Sequence, residues 1–486
     1  MTAEPDILAT GEAGRRVIRG SAWRLVANVA GIALGLLTAA LLLHHLGVAE
    51  SGRYVTVLSL VNIPVAIADT GLNVTASRSL ALRESDRRPA LIANVVGLKL
   101  IAMPVAVAIV VAFALAAAYP ARMVLGTLLA GFGALLAAVA NALLLKLTVE
   151  LRNVGLAVVD FMRQAVTLIG VAVLVAVGAK LTPFFAVLIL TGLVMIIVVP
   201  LVAGAGALLW PRFDRSEQRE LFRGAVPMAV ALGVGQIYFR LVIVLMSLIS
   251  SPRQTGYFGG SLRAMESLTL LPSLTVSVAL PLLAAAARDD RARLRYAVEG
   301  LGRASVILGV LIVVVTVRAA EPVMVIIGGH AFRAAGAVLR IQVGAILFIM
   351  LYSIWSGALL ALGRQRELIL TNALALAAVA VFAAVLVPEF GAQGGATASV
   401  LGDALLAVLI YWRLARTTGG VMVNAGFLAR VAVAAAAGVG TLFIPGLPNL
   451  VAAALSGIVF LGVGQIVGMV PTEVLSAFGL NRLRLR

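Results

Sequence analysis

Three basic side chains stand inside long apolar stretches of this sequence: Lys99, Arg240 and Arg263. A charge at bilayer depth costs about 2.5–3.5 kcal/mol on insertion scales, so such a residue faces a cavity or a partner. Glu266 follows Arg263 by one helical turn and can neutralise one guanidinium. A positive surplus is left over. The planar guanidinium fork grips phosphate oxygens through parallel hydrogen bonds, so anion binding is the chemistry this set can perform. A purely structural arrangement fits the same residues: Arg263 and Glu266 as a buried pair, Arg240 snorkelling outward, and Lys99 reaching the nearby cytoplasmic end.

The acids inside apolar stretches are fewer. Arg24 and Asp69 stand about one turn inside the cytoplasmic ends of the first two stretches, where a salt bridge between them would close an inner gate. Asp69 can equally cap a helix break at Gly71. Asp160 and Arg163 are three apart and read as a structural pair. Asp403 has no basic neighbour in sequence, so it either carries a coupling proton or hydrogen-bonds to an adjacent helix. The three histidines, His44, His45 and His330, are scattered, and cysteine is absent, so thiol chemistry and Cys-based metal sites are excluded. No Gly-rich phosphate loop precedes a Lys-Ser/Thr pair, so the chain itself gives no support for ATP-driven work. No metal site or cofactor is expected; energy would come from a proton or sodium gradient, the membrane potential, or consumption of the product.

The elements that position these residues follow from composition. Hydrophobic residues make up 62% of the chain, charged residues 12%, and mean hydropathy is +1.09. That is more apolar surface than a globular interior of this length can hide, so most of it must face lipid. Apolar runs of about twenty residues recur, each long enough to cross a hydrocarbon core of about 30 Å as a helix. Alternating ten-residue segments are absent, which excludes a transmembrane β-barrel. The expected fold is an all-α, polytopic integral membrane protein of about fourteen spans, at 20–44, 55–77, 90–116, 122–145, 154–177, 183–209, 224–249, 256–284, 302–327, 336–361, 367–387, 394–412, 427–445 and 449–470. The polar start carries Glu4, Asp6 and Glu12 with no cleavage pattern, so no signal peptide is expected to be removed.

In this scheme alternate loops hold twenty-eight basic residues on one side and seven on the other (Arg53, Arg122, Lys180, Arg253, Arg318, Arg333 and Arg340). The asymmetry places both termini in the cytoplasm. The net charge of +17 thus reports topology, and no nucleic-acid partner is expected. The polar segment 210–223 is the longest charged break mid-chain. It divides a cytoplasmic tail (1–19) and six-helix bundle (20–209) from a second six-helix bundle (224–412), followed by two accessory helices and a cytoplasmic tail (413–486). Gly20, Gly31 and Gly52 recur as Gly224, Gly235 and Gly256, and Gly52-Arg53-Tyr54 is echoed by Gly256-Tyr257. An even number of spans per half makes the repeats parallel, as in transporters with two bundles around a central cavity.

The stretch Leu43 to Leu82 carries Leu46-Gly47, then Gly52-Arg53-Tyr54, then Asp69-Thr70-Gly71-Leu72 followed by Arg78. It resembles the opening of bacterial polysaccharide-biosynthesis flippases in the multidrug/oligosaccharidyl-lipid/polysaccharide (MOP) exporter superfamily. Thr255-Gly256-Tyr257, Arg263-Ala264-Met265-Glu266, Glu321-Pro322, Gly328-Gly329, Gly363-Arg364 and the segment 391–396 extend the resemblance over spans 1 to 12. It implies a non-enzymatic flippase of a bacterial inner membrane that carries undecaprenyl-pyrophosphate-linked oligosaccharide from the cytoplasmic to the periplasmic leaflet by alternating access. Arg240, Arg263 and Lys99 would then hold the pyrophosphate. The expected partners are the bilayer and that lipid, with the protein acting as a monomer in transient contact with polysaccharide polymerase machinery. Lipid II flippases are similar and also have fourteen spans, though the start of this chain lacks their N-terminal pattern. A drug/cation antiporter would keep twelve spans and an acidic cavity; a polymerase or ligase would carry a long outer loop. Prolines 64, 104, 227, 272 and 281 lie in or at the ends of spans, where each allows a bend.

Overall fold

A computed structural model describes residues 11–150, 152–204, 210–269, 272, 279, 283, 285–287, 291–418, 424–441, 444 and 447–469, with the side chains of 11–28, 85, 230–232, 239 and 291 left out. Among the described residues the secondary structure is helical and no strand occurs. Nine helices among the described residues are long and apolar enough to cross a membrane, and two of them are double length, Val29–Ala81 and Gln365–Thr418. The all-α polytopic fold read from the apolar runs is the fold observed. Of the expected span 256–284, the part after Thr269 falls almost wholly outside the described residues.

The chain forms two compact units, Met1–Leu248 and Ile249–Arg486. The first comprises α1 (Gly11–Ala81), α2 (Arg88–Ala116), α3 (Ala121–Val149), α4 (Asn153–Ala176), α5 (Leu181–Ala203) and α6 (Arg215–Ile249). Glycines let these helices approach. A Cβ on Gly133 would lie 2.6 Å from Leu188 Cβ, and one on Gly192 2.6 Å from Leu136 Cβ, so α3 and α5 touch almost backbone to backbone. Two large apolar clusters form the core of the unit among the described residues. One gathers Leu80, Leu91, Val95, Leu143 and Val199, the other Val57, Val61, Met103, Ala130 and Phe185.

Residues 210–218 do not form a free connector. Arg212 N donates to Ala93 O at 3.0 Å and Asp214 N to Asn94 Oδ1 at 2.9 Å, while Arg83 and Asn94 both bond Glu217. Asp214 also caps α6, its Oδ1 accepting from Ser216 N at 2.9 Å and Ser216 Oγ at 2.6 Å. These bonds to the ionised form hold its carboxyl below the ordinary range. Further along, a Cβ on Gly71 would lie 2.8 Å from Ala229 Cβ, so α6 packs on α1 within the first unit. The division between units therefore falls after α6, whereas charge alone pointed to 210–223.

The second unit comprises α7 (Pro252–Leu268), α8 (Arg291–Gly328), α9 (Ala335–Gln342), α10 (Gly344–Ala361), α11 (Gln365–Thr418), α12 (Ala425–Gly440) and α13 (Asn449–Ile466). Ser251 caps α7 and Asn424 caps α12, their side-chain oxygens accepting from Gln254 N at 3.3 Å and Gly426 N at 2.9 Å. The accessory helices α12 and α13 join α8 through Val306, Phe427, Val431, Ala434 and Phe460. Thr441 and Ser456 share a hydroxyl hydrogen bond at 2.5 Å, tying the pair together. The repeated tyrosines do equivalent work in their own units: Tyr54 stacks on Phe185 at 5.2 Å, and Tyr257 meets Phe332 edge-on at 6.3 Å.

Each double-length helix is broken by one glycine, Gly47 (φ 68°, ψ −177°) in α1 and Gly391 (φ 54°, ψ −125°) in α11. Positive φ of this kind suits glycine and strains other residues. At Gly391 the room is closed as well, because a Cβ there would lie 2.8 Å from the Gln254 amide, whose Oε1 accepts from Ala392 N at 3.0 Å. Gly391→Ala is expected to cost about 1–3 kcal/mol of backbone strain. Thermal unfolding in detergent would register this as a lower midpoint, and an unchanged midpoint would show that the break tolerates a side chain.

Candidate functional site: a buried ion pair and two arginines

Between the two apolar clusters of the first unit lies a polar knot. Lys99, eleven residues into α2, is fully buried, at 0% exposure. Its ammonium is 2.7 Å from Asp69 Oδ1 and donates to Asn73 Oδ1 at 2.7 Å and to Ala138 O at 3.0 Å. Two of its protons are taken by hydrogen bonds, and the third side of the ammonium faces the Asp69 carboxylate as an ion pair. Asp69 Oδ2 accepts from Asn73 Nδ2 at 2.9 Å and from Asn141 Nδ2 at 3.2 Å. Helices α1, α2 and α3 thus each contribute to one closed network.

This geometry redistributes the expected roles. Lys99 neither snorkels to the cytoplasmic end nor keeps a donor for a substrate. Asp69 is engaged by Lys99, and its expected partner Arg24 has a side chain that lies outside the described residues. Nor does Asp69 cap a break at Gly71, because α1 is helical through that residue and departs from helical geometry at Gly47. Asn73, Asn141 and the Ala138 carbonyl were not anticipated. Asn73 follows Asp69 at i+4 and Asn141 is a lone amide in apolar α3, which are the signals that point to them. An asparagine in a span has to find a partner across helices.

Arg240 is half-buried on α6 of the first unit, and Arg263 is exposed on α7 of the second. Arg263 Nη1 lies 2.9 Å from Glu266 Oε2, the one-turn pair expected from spacing, with the guanidinium side chain 52% exposed. Exposure matters here, since an ion pair with that much access can exchange its carboxylate for another anion at little cost. Asp403 is buried on α11. Asp160 and Arg163 pair at 2.6 Å on the exposed face of α4, as their spacing indicates. Among the described residues no group of three or more His, Asp or Glu side chains is arranged to hold a metal.

No family model matches this chain, and no curated protein does. Solved structures do. The lipid II flippase MurJ in an inward closed conformation matches at a TM-score of 0.73 with 12% identity, covering 94% of this chain and 99% of that one. An inward-facing MATE-family multidrug resistance transporter of the MOP superfamily matches at 0.56 with 13% identity, covering 82% and 98%. A MOP superfamily transporter from Pyrococcus furiosus, described as having a binding pocket of reverse polarity, matches at 0.54 with 12% identity, covering 82% and 93%. Likeness at such identities is one of fold: the chain has the multi-helix membrane fold of the MOP transporters.

Proposed function

We propose that this protein is a flippase that moves undecaprenyl-pyrophosphate-linked oligosaccharide from the cytoplasmic to the periplasmic leaflet of a bacterial inner membrane by alternating access, with both termini cytoplasmic. The observation that carries the reading is the extent of the fold match. The lipid II flippase covers 94% of the chain, against 82% for the MATE transporter. The accessory pair α12–α13, packed on α8, goes beyond the twelve spans an antiporter would keep. Charge supports the same direction. Arg240 and Arg263 would receive the pyrophosphate, and Glu266 would release Arg263 to it. Asp69 is bonded to Lys99 and so adds no free negative charge that would favour a cation. Lys99 is then a positioning residue, while Asp403 and the Lys99–Asp69 pair are the groups through which a proton or sodium gradient or the membrane potential would act.

Lipid II is the second reading, favoured by the fold match to a lipid II flippase. Both lipids present a polyprenyl pyrophosphate, so the arginines serve either, and the sugars distinguish them. Binding of a fluorescent undecaprenyl-pyrophosphate oligosaccharide to the purified protein tests the choice: unlabelled oligosaccharide lipid should displace it about tenfold better than lipid II, and an organic cation should not displace it. The reverse ranking would favour lipid II, and displacement by the cation would sink both flippase readings. Orientation has its own check, since the chain has no native cysteine. Single cysteines at 86 and 214 should react with inner-side reagents alone, and those at 253 and 390 with outer-side ones.

A further inference from the structure

Seven basic residues fall on the sparsely charged side of the chain; two of them pair with one carboxylate of the second unit, and a third stands one helical turn from it. Glu321 lies in the outer part of α8, with Arg333 Nε 2.6 Å from its Oε1 and Arg340 Nη2 3.5 Å from its Oε2. Arg340 Nε also donates to Val317 O at 3.2 Å. Helix α9 folds back so closely on α8 that a Cβ on Gly336 would lie 2.8 Å from Glu321 Cα. Arg318 stands one turn before Glu321 on the same face. Its Nε is buried and has no hydrogen-bond acceptor among the described residues. A buried charged donor without an acceptor is costly, so the site gains whenever an anion arrives. Three guanidinium groups against one carboxylate leave two positive charges.

The height of this cluster identifies its environment. In α8 the apolar segment bounded by Arg303 ends at Arg318, and the apolar segment entering α10 begins just after Arg340. Because Arg340 is bonded to Val317, the two boundaries are level. They mark the outer edge of the hydrocarbon core, where lipid phosphates lie. Basic residues are scarce on that side, so a triple cluster there is not part of the positive-inside signal.

We propose that Arg318, Arg333 and Arg340 form a binding site for a lipid phosphate at the outer face, occupied by the pyrophosphate of a polyprenyl lipid. The identity of that lipid rests on the flippase reading above. The charge match supports it, since a pyrophosphate with at least two negative charges neutralises the cluster and a phosphodiester neutralises half of it. In mechanism, the site is a second station that takes the headgroup after it has crossed.

Native mass spectrometry of the full chain, titrated with a polyprenyl pyrophosphate in one arm and phosphatidylglycerol in the other, tests this. Arg318→Gln is the clean variant, because Arg318 makes no bond that folding depends on. It should weaken pyrophosphate binding roughly tenfold without lowering thermal stability, and should raise it if the buried Nε is as costly as its lack of an acceptor implies, whereas Glu321→Gln should tighten binding several-fold by removing a repelling charge. Unchanged affinity in Arg318→Gln, or phosphatidylglycerol bound as tightly as the pyrophosphate, overturns the proposal. Transport decides the parent reading separately: Arg318-dependent binding without wild-type flipping keeps this site and sinks the flippase. Wild-type flipping with Arg318-independent binding does the reverse.

Discussion

Arg263→Ala and Arg240→Ala are each expected to slow export of the lipid-linked glycan sharply while leaving the protein in the membrane at normal abundance. One guanidinium bond to a charged phosphate is worth about 1.5–3 kcal/mol, which is roughly a ten- to hundredfold loss of rate for each variant. A lysine replacement should recover part of this, because a point charge supplies attraction without the bidentate fork. Abundance should hold for Arg263→Ala because that side chain is exposed and its pairing with Glu266 adds little stability. Membrane abundance measured beside the transport rate separates the cases: a fall in abundance proportional to the fall in rate would make the arginines structural. Glu266→Gln should be tolerated if the substrate is an anion, and should abolish transport if it is a cation.

The second large effect belongs to the buried pair. Lys99→Met leaves the Asp69 carboxylate with amide donors alone, and Asp69→Asn leaves the Lys99 ammonium without its counter-charge. Removing one partner of a buried ion pair costs about 3–5 kcal/mol, since the remaining charge is stranded, whereas neutralising both is often harmless. The two single variants should therefore accumulate poorly and unfold at lower temperature, and the double variant Asp69→Asn with Lys99→Met should return close to wild type. Two singles as stable as the wild type would show that water or lipid headgroups reach the pair. The double variant also asks about coupling: if it folds but no longer responds to an imposed ion gradient, the pair does more than hold α1, α2 and α3 together.

The spans were legible because twenty apolar residues have one way to satisfy their backbone in lipid. The Arg263–Glu266 and Asp160–Arg163 pairs were legible because helical neighbours can be counted along the sequence. Lys99 was recognisable as a cation at depth, but its partners were not. Asp69 and Asn73 come from α1, Asn141 from α3, and the Ala138 carbonyl has no side-chain signature at all. Equal depth at the cytoplasmic ends of two spans suggested Arg24 for Asp69, whereas the contact with Lys99 depends on tertiary packing that depth alone does not reveal. The division between units was displaced for a similar reason. Charge density marks residues 210–223, yet the bonds from Arg212, Asp214 and Glu217 to α2 and to Arg83, between α1 and α2, tie that segment to the first unit. The breaks at Gly47 and Gly391 depend on backbone angles that a glycine permits but does not announce.

The central claim is that the protein carries an anionic, polyprenyl-linked headgroup across the bilayer. Reconstituted proteoliposomes with a fluorescent undecaprenyl-pyrophosphate oligosaccharide in both leaflets, and a membrane-impermeant quencher added outside, measure this directly. The account predicts that wild-type vesicles pass beyond the half-quenching set by the outer leaflet, and that Arg240→Ala and Arg263→Ala vesicles do so roughly ten- to hundredfold more slowly. Quenching held at one half in wild-type vesicles, together with uptake of an organic cation by the same preparation, would contradict it.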